Sequence, residues 1–287
     1  MRIGSSHPIV SITNSGLGNR LKSLLSIMRL TDDFYIYWPK NRCSGANFSD
    51  LFENDIEVFK LPFLDNWFHK KTRLFFAETW FGPNLVLRDE DHIPSGFGIE
   101  LYDSKKGRSV MINDGTSIDF QYERIPKSLQ QTYLEKVDNL VPVEYVRHEV
   151  AEFSGRMFDA DTVGVQIRTW KDEVRRQSMF SQDSLISVLD ELEGKNFFLS
   201  SDDQTVIERL MVRYPGRCFF YKKRVRHFEP GSSDSSSVAF AQDCLIDMLL
   251  LGQTNLIVGS HLSTFSECAW WFGRCKPKVK IIEPNIV

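Results

Sequence analysis

Between Thr162 and Ile282 the chain alternates short β-rich runs with amphipathic helical stretches, and this alternation limits its fold more than any other feature. Thr162–Arg168, Asn196–Ser200, Cys218–Tyr221, Leu256–Ser260 and Val279–Ile282 have strand character. Asp183–Glu193, Asp203–Tyr214, Ala239–Gly252 and Thr264–Phe272 repeat apolar residues at helical spacing. Such alternation predicts a parallel sheet covered by helices on both faces. The front of the chain repeats the pattern on a smaller scale. A β-rich run, Ile9–Thr13, is followed by a turn at 14–16, a helical period (Leu17, Leu21, Leu24, Leu25, Met28) and a second run, Tyr35–Trp38. The expected class is therefore α/β, with two α/β units facing one another. A helical segment ends at Gly155, which puts the boundary between 145 and 160: one domain over 1–150, the other over 151–287. The stretch from about Asn41 to Gly115 is rich in aromatics, among them Phe48, Phe52, Phe59, Trp67 and Trp80, with few clean periods. Packing beneath irregular loops and a sugar-stacking surface both fit it.

Composition removes several function classes. The 287 residues carry a formal net charge of −3, so there is no bulk positive field for a nucleic-acid backbone. The run Lys222-Lys223-Arg224-Val225-Arg226-His227 is a basic cluster, and it reads as a solvated loop or the rim of a phosphate site. The longest apolar stretch, Cys244–Leu251, is interrupted by Asp247 and too short to span a bilayer. The start of the chain lacks the apolar run of a signal peptide. Five cysteines without a C-x-x-C pair suit reduced thiols, and a cytoplasmic location is expected.

Ligands of open α/β sheets sit beyond the carboxyl ends of strands, so the residues following each strand are informative. The first strand leads into Asn14-Ser15-Gly16-Leu17-Gly18-Asn19-Arg20, where two glycines permit close backbone approach at a helix start. The third glycine of a dinucleotide fingerprint is replaced by Leu21. The strand Gly164-Val165-Gln166-Ile167-Arg168 ends in a guanidinium, a group suited to bidentate phosphate binding. Its alternation places Gln166 and Arg168 on one side. In Ser263-Thr264-Phe265-Ser266-Glu267, Thr264 and Glu267 have capping-box spacing, and the helix N-terminus there fits a phosphate as well as a plain cap. Asp202-Asp203 fits either an N-cap pair or a ligand-binding pair. Asp247, among leucines, requires a partner, either an internal arginine or a base with paired donors such as guanine. There is no H-x-x-x-H, no acidic D-x-D tied to a strand end and no P-loop. Phosphate binding without an obligatory metal is what these sites share.

At these residues the chain resembles the GDP-fucose-dependent fucosyltransferase superfamily. SGLGNRLKSL (Ser15–Leu24) resembles its glycine loop and GVQIR (Gly164–Arg168) its phosphate-binding arginine motif. FFLSSDD (Phe197–Asp203) and the segment Asp243–Ala269 resemble the later motifs, in the same order. The resemblance covers roughly the first 40 residues and 160–285. It implies a GT-B fold, two Rossmann-like domains facing across a cleft, with metal-independent, inverting transfer of L-fucose from GDP-β-L-fucose to a glycan hydroxyl. It implies that Arg168 grips the β-phosphate and that Ser263, Thr264 and Phe265 hold phosphate. It further implies that Asp247, or Asp243, accepts from guanine, and that Asp202 and Asp203 line the nucleotide pocket. Gly16, Gly18 and Asn19 would close over the sugar and pyrophosphate, with Arg20 and Gln166 also at the donor and Asn19 a second catalytic residue. Gln166 stands where many members have histidine, so an acid–base role there is lost. Asp89, Asp91 and Asp114 are base candidates by region alone. A transferase using another nucleotide sugar, or a non-catalytic nucleotide-sugar or glycan binder, is the alternative.

Overall fold

The structure, a computed structural model, describes residues 9–12, 16–30, 32, 34–41, 44–58, 100–103, 108–111, 127–170, 174–224, 237–260 and 263–282. The chain divides into two compact units, 1–39 with 53–141, and 40–52 with 142–287.

In the first unit, strand β1 (Ile9–Ile12), helix α1 (Leu17–Leu30) and strand β2 (Phe34–Tyr37) form a strand–helix–strand element. The strands pair in parallel, Ile9 opposite Phe34 and Ile12 opposite Tyr37. The period read in the sequence marks the inner face of α1, where Leu17, Leu21, Leu24 and Leu25 are buried. Strands β3 (Glu100–Asp103) and β4 (Arg108–Met111) pair antiparallel, and helix α2 (Lys127–Asp138) packs on α1.

The second unit begins with residues 40–52, in which Phe48 and Phe52 stack at 5.2 Å and are both 1% exposed. These two aromatics do packing work; those from Phe59 to Phe81 lie outside the described residues. Gln242 donates to the Asp50 carbonyl at 2.8 Å, and the Val143 N–H to the Leu51 carbonyl at 2.9 Å. Helix α3 (Glu144–Met157) then leads to strand β5 (Thr162–Ile167), helix α4 (Gln182–Asp190), strand β6 (Asn196–Ser201), helix α5 (Gln204–Arg213) and strand β7 (Cys218–Phe219). Helix α6 (Val238–Gly252), strand β8 (Leu256–Ser260), helix α7 (Thr264–Phe272) and strand β9 (Lys278–Ile282) complete it. The five strands form one parallel sheet in the order β7-β6-β5-β8-β9. β7 has two residues, not the expected Cys218–Tyr221, and past it Lys223 and Arg224 reach Asp247 and Asp243 on α6.

Packing explains the sequence at both faces. β5 is buried along its whole length, as a central parallel strand must be, with Val163, Val165 and Ile167 in a core that includes Leu185, Leu189, Leu199, Leu210 and Val258. α6 is apolar nearly all round and correspondingly buried. Two glycines permit its approach. A Cβ on Gly164 would lie 2.9 Å from Leu251 Cδ2 on α6, and one on Gly252 2.6 Å from the Ala269 carbonyl on α7. Among the described residues no helix is long and apolar enough to cross a membrane.

Candidate functional site

The carboxyl edge of the parallel sheet gathers the polar residues the sequence singles out. β5, β6 and β8 end there at Ile167, Ser201 and Ser260, and Ser260 knits the ends together. Its hydroxyl donates to the Gln166 carbonyl (3.0 Å) and accepts from the Arg168 N–H (2.7 Å). Its own carbonyl accepts from the Ser263 N–H at 3.3 Å. Gln166, 5% exposed, accepts through Oε1 from the Ser266 hydroxyl (2.9 Å) and the Ser260 N–H (3.3 Å). The buried amide therefore fixes the start of α7 against the tip of β5. A strand tip bearing a guanidinium is thus held beside a helix N-terminus by neutral hydrogen bonds alone. Gln166 is part of this scaffold and does not face outward with Arg168.

Arg168 stands just past β5 with its side chain 34% exposed. Nη1 donates to Asp202 Oδ2 at 2.8 Å, and the guanidinium lies over the Trp170 ring, 4.7 Å from its centroid. Nε and Nη2 have no protein acceptor among the described residues. Asp202, 14% exposed, also accepts from the Thr169 N–H (3.0 Å) and hydroxyl (3.2 Å). Its neighbour Asp203 is instead the N-cap of α5, accepting from the Thr205 N–H at 3.0 Å. The pair read as alike from the sequence divides into one cap and one arginine partner.

At α7 the cap is Ser263, whose hydroxyl accepts from the Ser266 N–H at 3.3 Å, so the Thr264–Glu267 capping box is corrected by one residue. Glu267 turns inward, 5% exposed, and accepts from the Trp271 indole. Thr264 and Phe265 are half-buried, and their backbone N–H groups have no acceptor among the described residues. Open N–H groups at the positive end of a helix are a place for an anion.

Next to this edge, Asp247 is 1% exposed and has found an internal cation, Lys223 at 2.7 Å rather than an arginine. The Ser200 hydroxyl donates to the same oxygen, Oδ2, at 2.9 Å. Oδ1 is buried with no partner among the described residues. Complete burial pushes the Asp247 carboxyl above its ordinary pKa against the pull of Lys223. Burial also works against the Lys223 ammonium, yet Asp247, with help from Cys244 and Asp243, holds it above the usual lysine value. Asp243, fully buried, accepts from the Arg224 N–H (2.7 Å) and guanidinium (2.9 Å). The basic run is therefore no plain solvated loop: two of its cations are anchored to carboxylates of α6, while Lys222 is exposed and 225–227 lie outside the described residues.

In the first unit Gly16 immediately precedes α1, whose first turn holds Gly18 and Asn19, while 13–15 lie outside the described residues. Gly16 is half-buried with no described residue within 4 Å of an added Cβ, Gly18 is buried and Asn19 is half-buried. Arg20 departs from expectation. Only 1% exposed, it donates to the Pro39 carbonyl at 2.9 Å and lies over the Trp38 ring at 5.3 Å, so it is a core residue that offers no charge to a donor. Asp89, Asp91 and Asp114 lie outside the described residues. Among the described residues one cluster has metal-type ligands, His148, Glu149 and Glu152 on α3. Tyr221 and Arg156 already hold two of its three members.

Beside Arg168 and Asp247 stand Trp170, which the sequence does not single out, and Lys223, which it marks only as part of the basic run. A left-handed backbone at a tryptophan has no sequence signal, and Lys223 was hidden in a basic run; its spacing just past a strand was the one available hint.

No protein-family model matches the chain, and no curated protein matches it. Solved structures do. The α-1,6-fucosyltransferase NodZ soaked with GDP-fucose is 16% identical over 93% of each chain, with a TM-score of 0.52. Fucosyltransferase NodZ from Bradyrhizobium aligns over 99% of this chain and 98% of its own at 15% identity and TM-score 0.55. POFUT1 in its apo form aligns over 98% and 99% at 14% identity and TM-score 0.51. The likeness is one of fold: α/β of the GT-B type, with two Rossmann-like domains.

Proposed function

We propose that this chain is a glycosyltransferase that moves L-fucose from GDP-β-L-fucose to a hydroxyl of a glycan or glycoconjugate, with inversion and without an obligatory metal ion. The observation that carries the reading is the edge of the sheet. There the backbone of Arg168 is tied to Ser260 beside the start of α7, and among the described residues two of the guanidinium nitrogens and the N–H groups of Thr264 and Phe265 have no acceptor. The fold is one in which NodZ has been soaked with GDP-fucose.

In this reading the bond between the sugar C1 and the β-phosphate oxygen breaks, and its electron pair leaves with GDP. The acceptor oxygen bonds to C1 from the opposite face and gives up its proton. Charge grows on the diphosphate as the bond breaks, where Arg168 and the α7 N-terminus are already in place, so the cost of reorganisation is met in folding. A preorganised donor of this kind is worth ~10²–10³ in rate. A leaving group so stabilised needs little help from a strong base, so water suffices for the acceptor proton. Phosphate charge is met by protein groups, which is the support for metal independence. Asp247 Oδ1, a buried acceptor with no donor among the described residues, suits an N–H of guanine. Gly16 gives the donor room to approach the backbone, and Asn19 orients the leaving phosphate or the acceptor hydroxyl.

A second reading, another nucleotide sugar, is favoured by one contact: Lys223 already occupies Asp247 Oδ2. Incubation with GDP-fucose, UDP- and ADP-sugars against a glycan acceptor panel tests both. Fucosyl transfer with GDP release, reduced ~10²–10³-fold in Arg168→Ala, is the expected result. Transfer from another donor alone, or full activity in Arg168→Ala, overturns it.

A further inference from the structure

Trp170 carries a backbone φ of +56°, a region bulky L-residues rarely hold. Arg274 and Cys275 share it, but they follow the end of α7, where left-handed turns are common. Trp170 follows a strand. The preceding residues explain how it is held there. The Arg168 N–H is bound by Ser260 at 2.7 Å, and the Thr169 N–H and hydroxyl by Asp202 at 3.0 and 3.2 Å. With two successive residues pinned, the chain turns at Trp170, and the turn lays the indole against the guanidinium, 4.7 Å from Cζ to the ring centroid. Asp202 holds the Nη1 edge of that same guanidinium at 2.8 Å.

The geometry points to Trp170 as a positioning residue for Arg168. The indole fixes the plane of the guanidinium and Asp202 fixes its rotation within that plane, so Nε and Nη2 are presented without a search among rotamers. An arginine held in its binding orientation loses less freedom when an anion arrives. Cation–π contact is strongest with an indole. A strained backbone persists where the surrounding contacts over-determine it, and at functional sites such strain serves preorganisation. The inference rests on the reading of Arg168 as the β-phosphate contact.

Calorimetric titration with GDP and with GMP separates the two ideas, because only GDP has a β-phosphate. Trp170→Leu keeps apolar bulk without a ring face, and Trp170→Gly accepts the left-handed backbone; whichever folds reads the same quantity. The expected result is a GDP affinity about 10-fold weaker with GMP affinity unchanged, and recovery of most of the loss in Trp170→Phe. A general structural defect lowers both affinities together and overturns the proposal, as does a wild-type preference for GDP over GMP in the Leu or Gly variant. A wild-type protein with no preference for GDP over GMP overturns the Arg168 reading itself, and the positioning role falls with it.

Discussion

Removing the Lys223 ammonium leaves the Asp247 carboxyl, 2% exposed at its side chain, without its cation and with one donor among the described residues, the Ser200 hydroxyl at 2.9 Å. Breaking a buried pair costs about 3–5 kcal/mol. Because Ser200 stays bonded and Lys223 is itself 23% exposed, Lys223→Met should fall at the low end, about 3 kcal/mol at pH 7. Urea unfolding of the variant against wild type reads this directly. Burial holds the folded Asp247 pKa above its unfolded value, and without the ammonium it rises further. A raised carboxyl contributes stability below the unfolded value, near ~3.9, and loses it as pH climbs through the folded one. The deficit of Lys223→Met should therefore shrink toward pH 4.5 and widen toward pH 8. Adding Asp247→Asn should restore about 2 kcal/mol or more at pH 7, since no buried carboxyl is then left without its cation. A single variant within ~0.5 kcal/mol of wild type, the ordinary range of surface changes, refutes the reasoning. So does a deficit that does not vary with pH.

Gly16→Ala should leave the melting temperature unchanged, since no described residue lies within 4 Å of an added Cβ, yet lower GDP-fucose turnover if the donor approaches that backbone. Equal turnover would remove the glycine turn from the site. Ser260→Ala unties Arg168 from Gln166 and should cost about 1–2 kcal/mol in stability together with reduced turnover; a change in stability alone would make Ser260 a scaffold residue only. Burial pushes the Cys218 thiol up to about 11 and those of Cys244 and Cys275 up to about 12, so at pH 8 an aromatic disulfide reagent should modify these three only after unfolding.

Much of the fold is legible because parallel sheets impose strong patterns. β5 is buried along its whole length with Val163, Val165 and Ile167 on one face, Leu17 to Leu25 keep a helical period, and β8 and α7 have the expected bounds. The place of Arg168 just past β5 was legible too, since a cation at the end of an apolar strand is conspicuous. What the pattern hides are pairings that depend on which strand tips become neighbours. Asp247 joins Lys223, 24 residues earlier in the chain, because β7 stops after Phe219 and the chain turns toward α6. Arg20 looks like a ligand residue in a glycine turn, but the helical period that buries Leu17, Leu21 and Leu24 turns it inward as well. Ser263 and Thr264 are both good caps, and only the backbone decides between them.

The central claim is that a nucleoside diphosphate is held by Arg168 and the start of α7. Calorimetry with GDP, UDP, ADP and CMP on wild type and Arg168→Ala tests it most directly. The account expects GDP to bind at least ~10-fold more tightly than the others, about 1.4 kcal/mol, and the arginine variant to lose most of that affinity. Binding of all four alike, of none, or of GDP undiminished in the variant would contradict it.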